Sequence, residues 1–134
     1  MRMPKALVIE DDDIARELVV SLLRDGGYET FELSSPIGAT QMISRERIEL
    51  VILDIMMPGL SGDKLAKMLR ANPRFGRIGI VLVSSCTPAE LEEVARSVRA
   101  DAVVQKPEIR TKLLPTLMRV RASLPRELPG RKVS

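Results

Sequence analysis

The sequence contains no histidine and no tryptophan, one cysteine, and three other aromatic residues in all, Tyr28, Phe31 and Phe75. Each shortage removes a class of function. Without histidine there is no Ser-His-Asp or Cys-His nucleophile pair, no His-ligated zinc, and no phosphohistidine on this chain. A lone Cys86 forms no internal disulfide, so a reducing, cytoplasmic location is expected. So few aromatics make no stacking platform for single-stranded nucleic acid, and direct nucleic-acid binding is not expected. No apolar run approaches the roughly 20 residues that span a bilayer, and Met1-Arg2-Met3-Pro4-Lys5 leads straight into a strand-like run without a signal-peptide pattern. No membrane partner is expected. The net charge of +3 is too mild to single out an acidic partner.

What is present suits one compact domain: 134 residues, 45% hydrophobic and 29% charged. Short apolar runs alternate with amphipathic segments. Ala6-Leu7-Val8-Ile9, Leu50-Val51-Ile52-Leu53, Ile78-Gly79-Ile80-Val81-Leu82-Val83 and Ala102-Val103-Val104 are rich in β-branched residues and do not alternate with polar ones. Strands of that kind are buried on both faces, as in a parallel sheet. Tyr28-Glu29-Thr30-Phe31-Glu32-Leu33 does alternate and reads as a more exposed edge strand.

Helical spacing fills the gaps. Ile14, Leu18, Val19, Leu22 and Leu23 form one stripe, ended by Gly26-Gly27. Ile37, Met42 and Ile43 form a second behind Ser35-Pro36, and Leu65, Met68 and Leu69 a third that stops before Pro73. Leu91, Val94, Ala95 and Val98 form a fourth, behind the capping box Thr87-Pro88-Ala89-Glu90. A fifth holds Leu113, Leu114, Leu117, Met118 and Val120, where Pro115 predicts a late start or a kink. Five βα units imply an α/β fold, a doubly wound five-stranded parallel sheet with helices on both faces. Residues 123–134 are polar, contain Pro125, Pro129 and Gly130, and read as a flexible C-terminal tail.

Polar residues gather where these strands end: Glu10 and Asp11 after the first, Asp54 at the third, Ser84 at the fourth, Lys106 after the fifth. Open α/β sheets bind ligands at that edge, and strand order 2-1-3-4-5 brings the loops together. Converging carboxylates repel one another, and a hard divalent cation relieves the repulsion; with oxygen ligands only, Mg2+ is the natural candidate. Lysine and hydroxyl beside it suit a tetrahedral phosphoryl group, and a carboxylate can itself be the nucleophile.

Val8-Ile9-Glu10-Asp11-Asp12, Val51-Ile52-Leu53-Asp54-Ile55-Met56-Met57-Pro58-Gly59-Leu60-Ser61-Gly62, Val83-Ser84-Ser85 and Lys106-Pro107 closely resemble the receiver domains of bacterial two-component response regulators. The resemblance implies a flavodoxin-like receiver domain over residues 1–122. It implies Asp54 as phosphoacceptor, with Mg2+ held by Glu10, Asp11, Asp54 and the Met56 backbone carbonyl. Lys106 would pair with Asp54 and then with phosphoryl oxygens, and Ser84 would donate its hydroxyl to the phosphoryl group. The donor would be a histidine kinase or histidine phosphotransfer protein. Output would pass to a downstream protein through the face of helix 4, strand 5 and helix 5. Such a chain is a regulator, catalysing only its own phosphorylation and slow dephosphorylation. The Lys106-Pro107 bond is a candidate for cis.

The departures from the family pattern carry expectations of their own. Val103 stands where the family commonly has tyrosine or phenylalanine as a switch residue. That leaves an alternative open, a constitutive interaction module that keeps the site without the usual switching. Met56 and Cys86, each two residues beyond a site residue, are placed to tune hydrolysis. An aspartate-nucleophile phosphatase needs a second acid at position 56 and is disfavoured by Met56. Among the acids of the first loop, Asp13 reads as a helix cap and Asp12 equally as cap or site.

Overall fold

A computed structural model describes residues 3–57 and 61–125. Pro58, Gly59 and Leu60 of the long motif, and residues 126–134 of the expected tail, lie outside the described residues. Strands β1 (Lys5–Ile9), β2 (Glu29–Leu33), β3 (Leu50–Asp54), β4 (Gly79–Ser84) and β5 (Ala102–Gln105) alternate with helices α1 (Asp13–Asp25), α2 (Ala39–Glu46), α3 (Gly62–Ala71), α4 (Pro88–Val98) and α5 (Ile109–Ser123). All pairings are parallel, in the order β2-β1-β3-β4-β5.

The period of two along each strand sorts the core into two layers. Ala6, Val8, Leu50, Ile52, Val81, Val83 and Val104 pack against α1 and α5. Leu7, Ile9, Val51, Leu53, Ile80 and Leu82 pack against α2, α3 and α4. The central strands β3 and β4 are buried at every residue, which is why their sequences do not alternate. β2, at one edge, keeps the exposed glutamates its alternation implies.

Several helical expectations need correction. Ile14 lies within α1 but is 79% exposed, so the buried stripe starts at Leu18 and Val19. Ile37 precedes α2 and is 80% exposed. The helix begins two residues later because Gly38, at φ 84°, turns the chain left-handed before it. Pro115 neither delays nor ends α5, which already starts at Ile109. Proline removes one bond to the residue four earlier, and here both Thr111 and Pro115 lie on the exposed side of the helix. Met118 is exposed for the same reason of facing. The cap of α1 is Asp12, whose carboxylate accepts the Ala15 N–H at 3.1 Å, while Asp13 pairs with Arg16 at 2.6 Å. The Thr87–Glu90 capping box forms as expected. No described peptide bond is cis, Lys106–Pro107 included.

Candidate functional site

Four strand ends deliver the predicted polar residues to one edge of the sheet. Glu10, Asp54 and Ser84 are buried there, while Asp11 is exposed. Asp54 is the last residue of β3, and its partner on β4 is Val83, so Ser84 lies one residue further out on the neighbouring strand. Lys106 follows β5. Its Nζ lies 2.9 Å from Glu10 Oε1 and 3.1 Å from Asp54 Oδ2, bridging two buried carboxylates from different strands. The other Asp54 oxygen, Oδ1, accepts the Met56 N–H at 2.9 Å.

Glu10 is pinned on every side. Its N–H donates to the Leu33 carbonyl at 3.1 Å, and its Oε2 accepts the Asp12 N–H at 3.1 Å. Arg16 of α1 donates to its carbonyl at 2.8 Å while also pairing with Glu32 and Asp13. Burial raises the Glu10 carboxyl; the Lys106 ammonium and the Asp12 N–H oppose this, and Asp54 reinforces it. The result is about 7, against an ordinary 4.5. Burial also works to lower Lys106, but its hydrogen bonds to Glu10 and Asp54 prevail and hold it above its ordinary value.

Carboxylate oxygens of Glu10, Asp11 and Asp54 lie within 4.8 Å of one another. The set is all oxygen, all anionic, and free of histidine and cysteine, which fits a hard divalent cation. Met56, two residues past Asp54, is 64% exposed, whereas Met57 is buried in the core; of the pair, only Met57 serves packing. Cys86 is half-buried, and its N–H donates to Ser84 Oγ at 3.1 Å. Val103 is half-buried against the layer that holds α4. Beside it opens a groove of about 470 Å³ between α4, β5 and α5, lined among others by Leu91, Glu92, Gln105, Lys112 and Thr116.

Three contributors were not legible as site residues. Arg16 and Gln105 act on backbone carbonyls of distant segments, of Glu10 and of Cys86 respectively. Gly62 was visible only as a letter of the motif. A Cβ there would overlap the Asp54 carbonyl and come within 2.9 Å of Ile55 Cα, so glycine lets α3 begin against the end of β3.

Comparison with known proteins agrees with this geometry. Residues 6–118 match the family model of the response regulator receiver domain. The chain is 27% identical over 106 residues to the polar-differentiation response regulator DivK of Brucella anthropi, covering 78% of this chain and 86% of that protein. It is similar to the chemotaxis protein CheY4 of Vibrio cholerae, with a TM-score of 0.81 and 28% identity over 89% of this chain and 99% of that one. The receiver domain of the sensor histidine kinase PA1611 of Pseudomonas aeruginosa, solved with a magnesium ion coordinated in its active-site cleft, shares the fold. Its TM-score is 0.81 at 22% identity, over 91% of this chain and 100% of that one. Other curated relatives are much longer, and this chain spans from 14% to 52% of their length.

Proposed function

The chain belongs to the response regulator receiver domain family, whose members are phosphorylation switches, and from that premise we propose that it takes a phosphoryl group onto Asp54 with the help of Mg2+. The observation that carries this reading is the Lys106 ammonium bridging the buried Glu10 and Asp54 carboxylates at the sheet edge. A structural ion pair needs one acid and one base. A second buried acid, raised to about 7, is a cost that the core does not require and that a cation and a phosphoryl group would offset.

Glu10, Asp11 and Asp54, with the Met56 carbonyl, would hold the ion. When bound, Mg2+ supplies positive charge against carboxylate repulsion and against the phosphoryl oxygens. Every other part is played by the chain. An Asp54 oxygen attacks the phosphorus, the bond from phosphorus to the donor's histidine nitrogen breaks, and the electron pair leaves on the imidazole. Lys106, already 3.1 Å from Asp54, turns its ammonium to the arriving oxygens. The Ser84 hydroxyl, on the adjacent strand, donates to another. Nearby, Met56 and Cys86 offer weak hydrogen bonding to an attacking water, which favours slow self-dephosphorylation. The donor is a histidine kinase or histidine phosphotransfer protein, and the output partner a protein that reads the face of α4, β5 and α5. No described helix is long and apolar enough to cross a membrane, and we place the protein in the cytoplasm. We read the receiver unit as running to the end of α5 at Ser123, one residue past the boundary of 122 expected from the sequence, with Leu124 packed against the α1 and α5 layer.

The half-buried Val103 supports a second reading, an interaction module whose site loads without reshaping that face. Acetyl phosphate with and without Mg2+, followed by intact mass, tests the leading one. One phosphoryl group per chain is expected, dependent on the ion and absent from Asp54→Ala. Equal loading of Asp54→Ala would overturn it. Loading of the wild type with no spectral change on the α4, β5 and α5 face would favour the second reading.

A further inference from the structure

Gln105 has no part in the reaction just described, yet its side chain ties β5 to the loop between β4 and α4. Its Nε2 donates to the Cys86 carbonyl at 3.0 Å. The N–H of the same Cys86 donates to Ser84 Oγ at 3.1 Å. Cys86 is thus held from both of its peptide groups, on one side by the hydroxyl that would meet the phosphoryl group and on the other by β5. Ser84 and Gln105 are register partners on adjacent strands. The residue after Gln105 is Lys106, bound to Asp54 and Glu10. The contacts therefore run as a chain from Asp54 through Lys106, Gln105 and Cys86 to Ser84, which lies on the neighbouring strand one residue beyond Val83, the partner of Asp54. Gln105 also lines the groove between α4, β5 and α5, on the same side of β5 as Val103.

The physical properties of the two β5 residues differ. Valine is short and stiff at its first torsion and has no second well-separated position. Glutamine has a long side chain with two donors and an acceptor at its end, so it can release one partner and take another. Resting on the proposed function, we infer that Gln105 is a positioning residue, a latch that holds the β4–α4 loop through the Cys86 carbonyl and lets it go when Ser84 turns to a phosphoryl group on Asp54. Reorientation of Ser84 Oγ moves the Cys86 peptide, which is bonded to it, and carries the Cys86 carbonyl out of reach of Nε2. The freed amide then faces the groove, whose polar lining changes while the β5 backbone stays in place.

The side-chain amide protons of Gln105 report this directly by NMR, with beryllium fluoride and magnesium as the phosphoryl mimic. In the wild type, the mimic is expected to shift the amides around Asp54 and Ser84 and, with them, the Gln105 side-chain amide pair. In Gln105→Met, which keeps length and removes the donor, the Asp54 amides should still respond. The Ser85, Cys86 and Thr87 amides should lie, before any mimic is added, part-way along the line the wild type travels. Gln105→Glu, which sets a carboxylate against the Cys86 carbonyl, should move them further in the same direction. A Gln105 side chain that stays put while the Asp54 amides shift overturns the latch, and so do variants whose resting loop coincides with the wild type. No response at Asp54 in any of the three proteins instead overturns the proposed function, on which the latch depends.

Discussion

Replacing Glu10 by glutamine is expected to stabilise the metal-free protein at pH 8. On folding, the Glu10 carboxyl moves from 4.5 to about 7, and at ~1.4 kcal/mol per factor of ten in proton affinity its charged form costs up to about 3 kcal/mol. Glutamine keeps the bulk and an oxygen for the Asp12 N–H, but loses the 2.9 Å pairing with Lys106. The rise to about 7 already includes the lowering by Lys106, so the net gain at pH 8 is at most about 3 kcal/mol. The sign with pH follows from proton counts. Between 4.5 and about 7 the folded wild type keeps a proton that the unfolded chain has released, so its stability falls as pH rises through that window. Glutamine does not titrate, so the variant's advantage opens across the window and is nearly gone at pH 5. Lys106, raised above its ordinary value by Glu10 and Asp54, stays protonated over this range. Urea melts in chelator at pH 5 and pH 8 measure both points. Magnesium should narrow that advantage, since an ion at ten times its dissociation constant adds ~1.4 kcal/mol to the protein that binds it. A variant less stable than the wild type at pH 8 without metal, or an advantage as large at pH 5, would refute the reasoning.

Other perturbations address other parts of the structure. The Asp101 carboxylate accepts Arg70 at 2.6 Å and the Ile80 N–H at 2.8 Å, joining the starts of β4 and β5; Asp101→Ala should lower stability by about 2 kcal/mol in denaturant melts while leaving phosphorylation of Asp54 intact. Gly62→Ala drives a methyl group into the Asp54 carbonyl, so it should cost about 2 kcal/mol by the same melts and slow loading from acetyl phosphate. Met56→Asn places a hydrogen-bonding amide at a 64% exposed position beside Asp54; decay of the phosphorylated protein should quicken about tenfold if the bond contributes ~1.4 kcal/mol to the transition state.

The sheet was legible because burial on both faces leaves a signature in single strands: β1, β3 and β4 are runs of Val, Ile and Leu that need no neighbour to be recognised. The strand-end residues were legible for the same reason, since a buried strand that ends in Asp or Ser marks its own terminus. Helical faces were harder. Ile14 and Ile37 are apolar and sit at helical spacing, yet face solvent at α1's first turn and before α2. Apolar identity at a helix end says little about facing when the element's start is uncertain by two residues. Pro115 does not delay α5, which starts at Ile109, and it sits on the exposed side of the helix. Arg16 and Gln105 were beyond reach for another reason. Both bond to backbone carbonyls, which every residue has, so only the register of α1 on β1 and of β5 on β4 identifies their partners.

The central claim is that Asp54, among all the acids of this chain, becomes an acyl phosphate. Borohydride reduces an acyl phosphate at the carbonyl carbon and leaves a stable alcohol in its place, so peptide mass after treatment with acetyl phosphate and magnesium locates the modified residue. The account predicts reduction at Asp54 alone, lost when magnesium is chelated and sharply diminished in Lys106→Ala. Reduction at Asp11 or Glu10 with Asp54 untouched would contradict it.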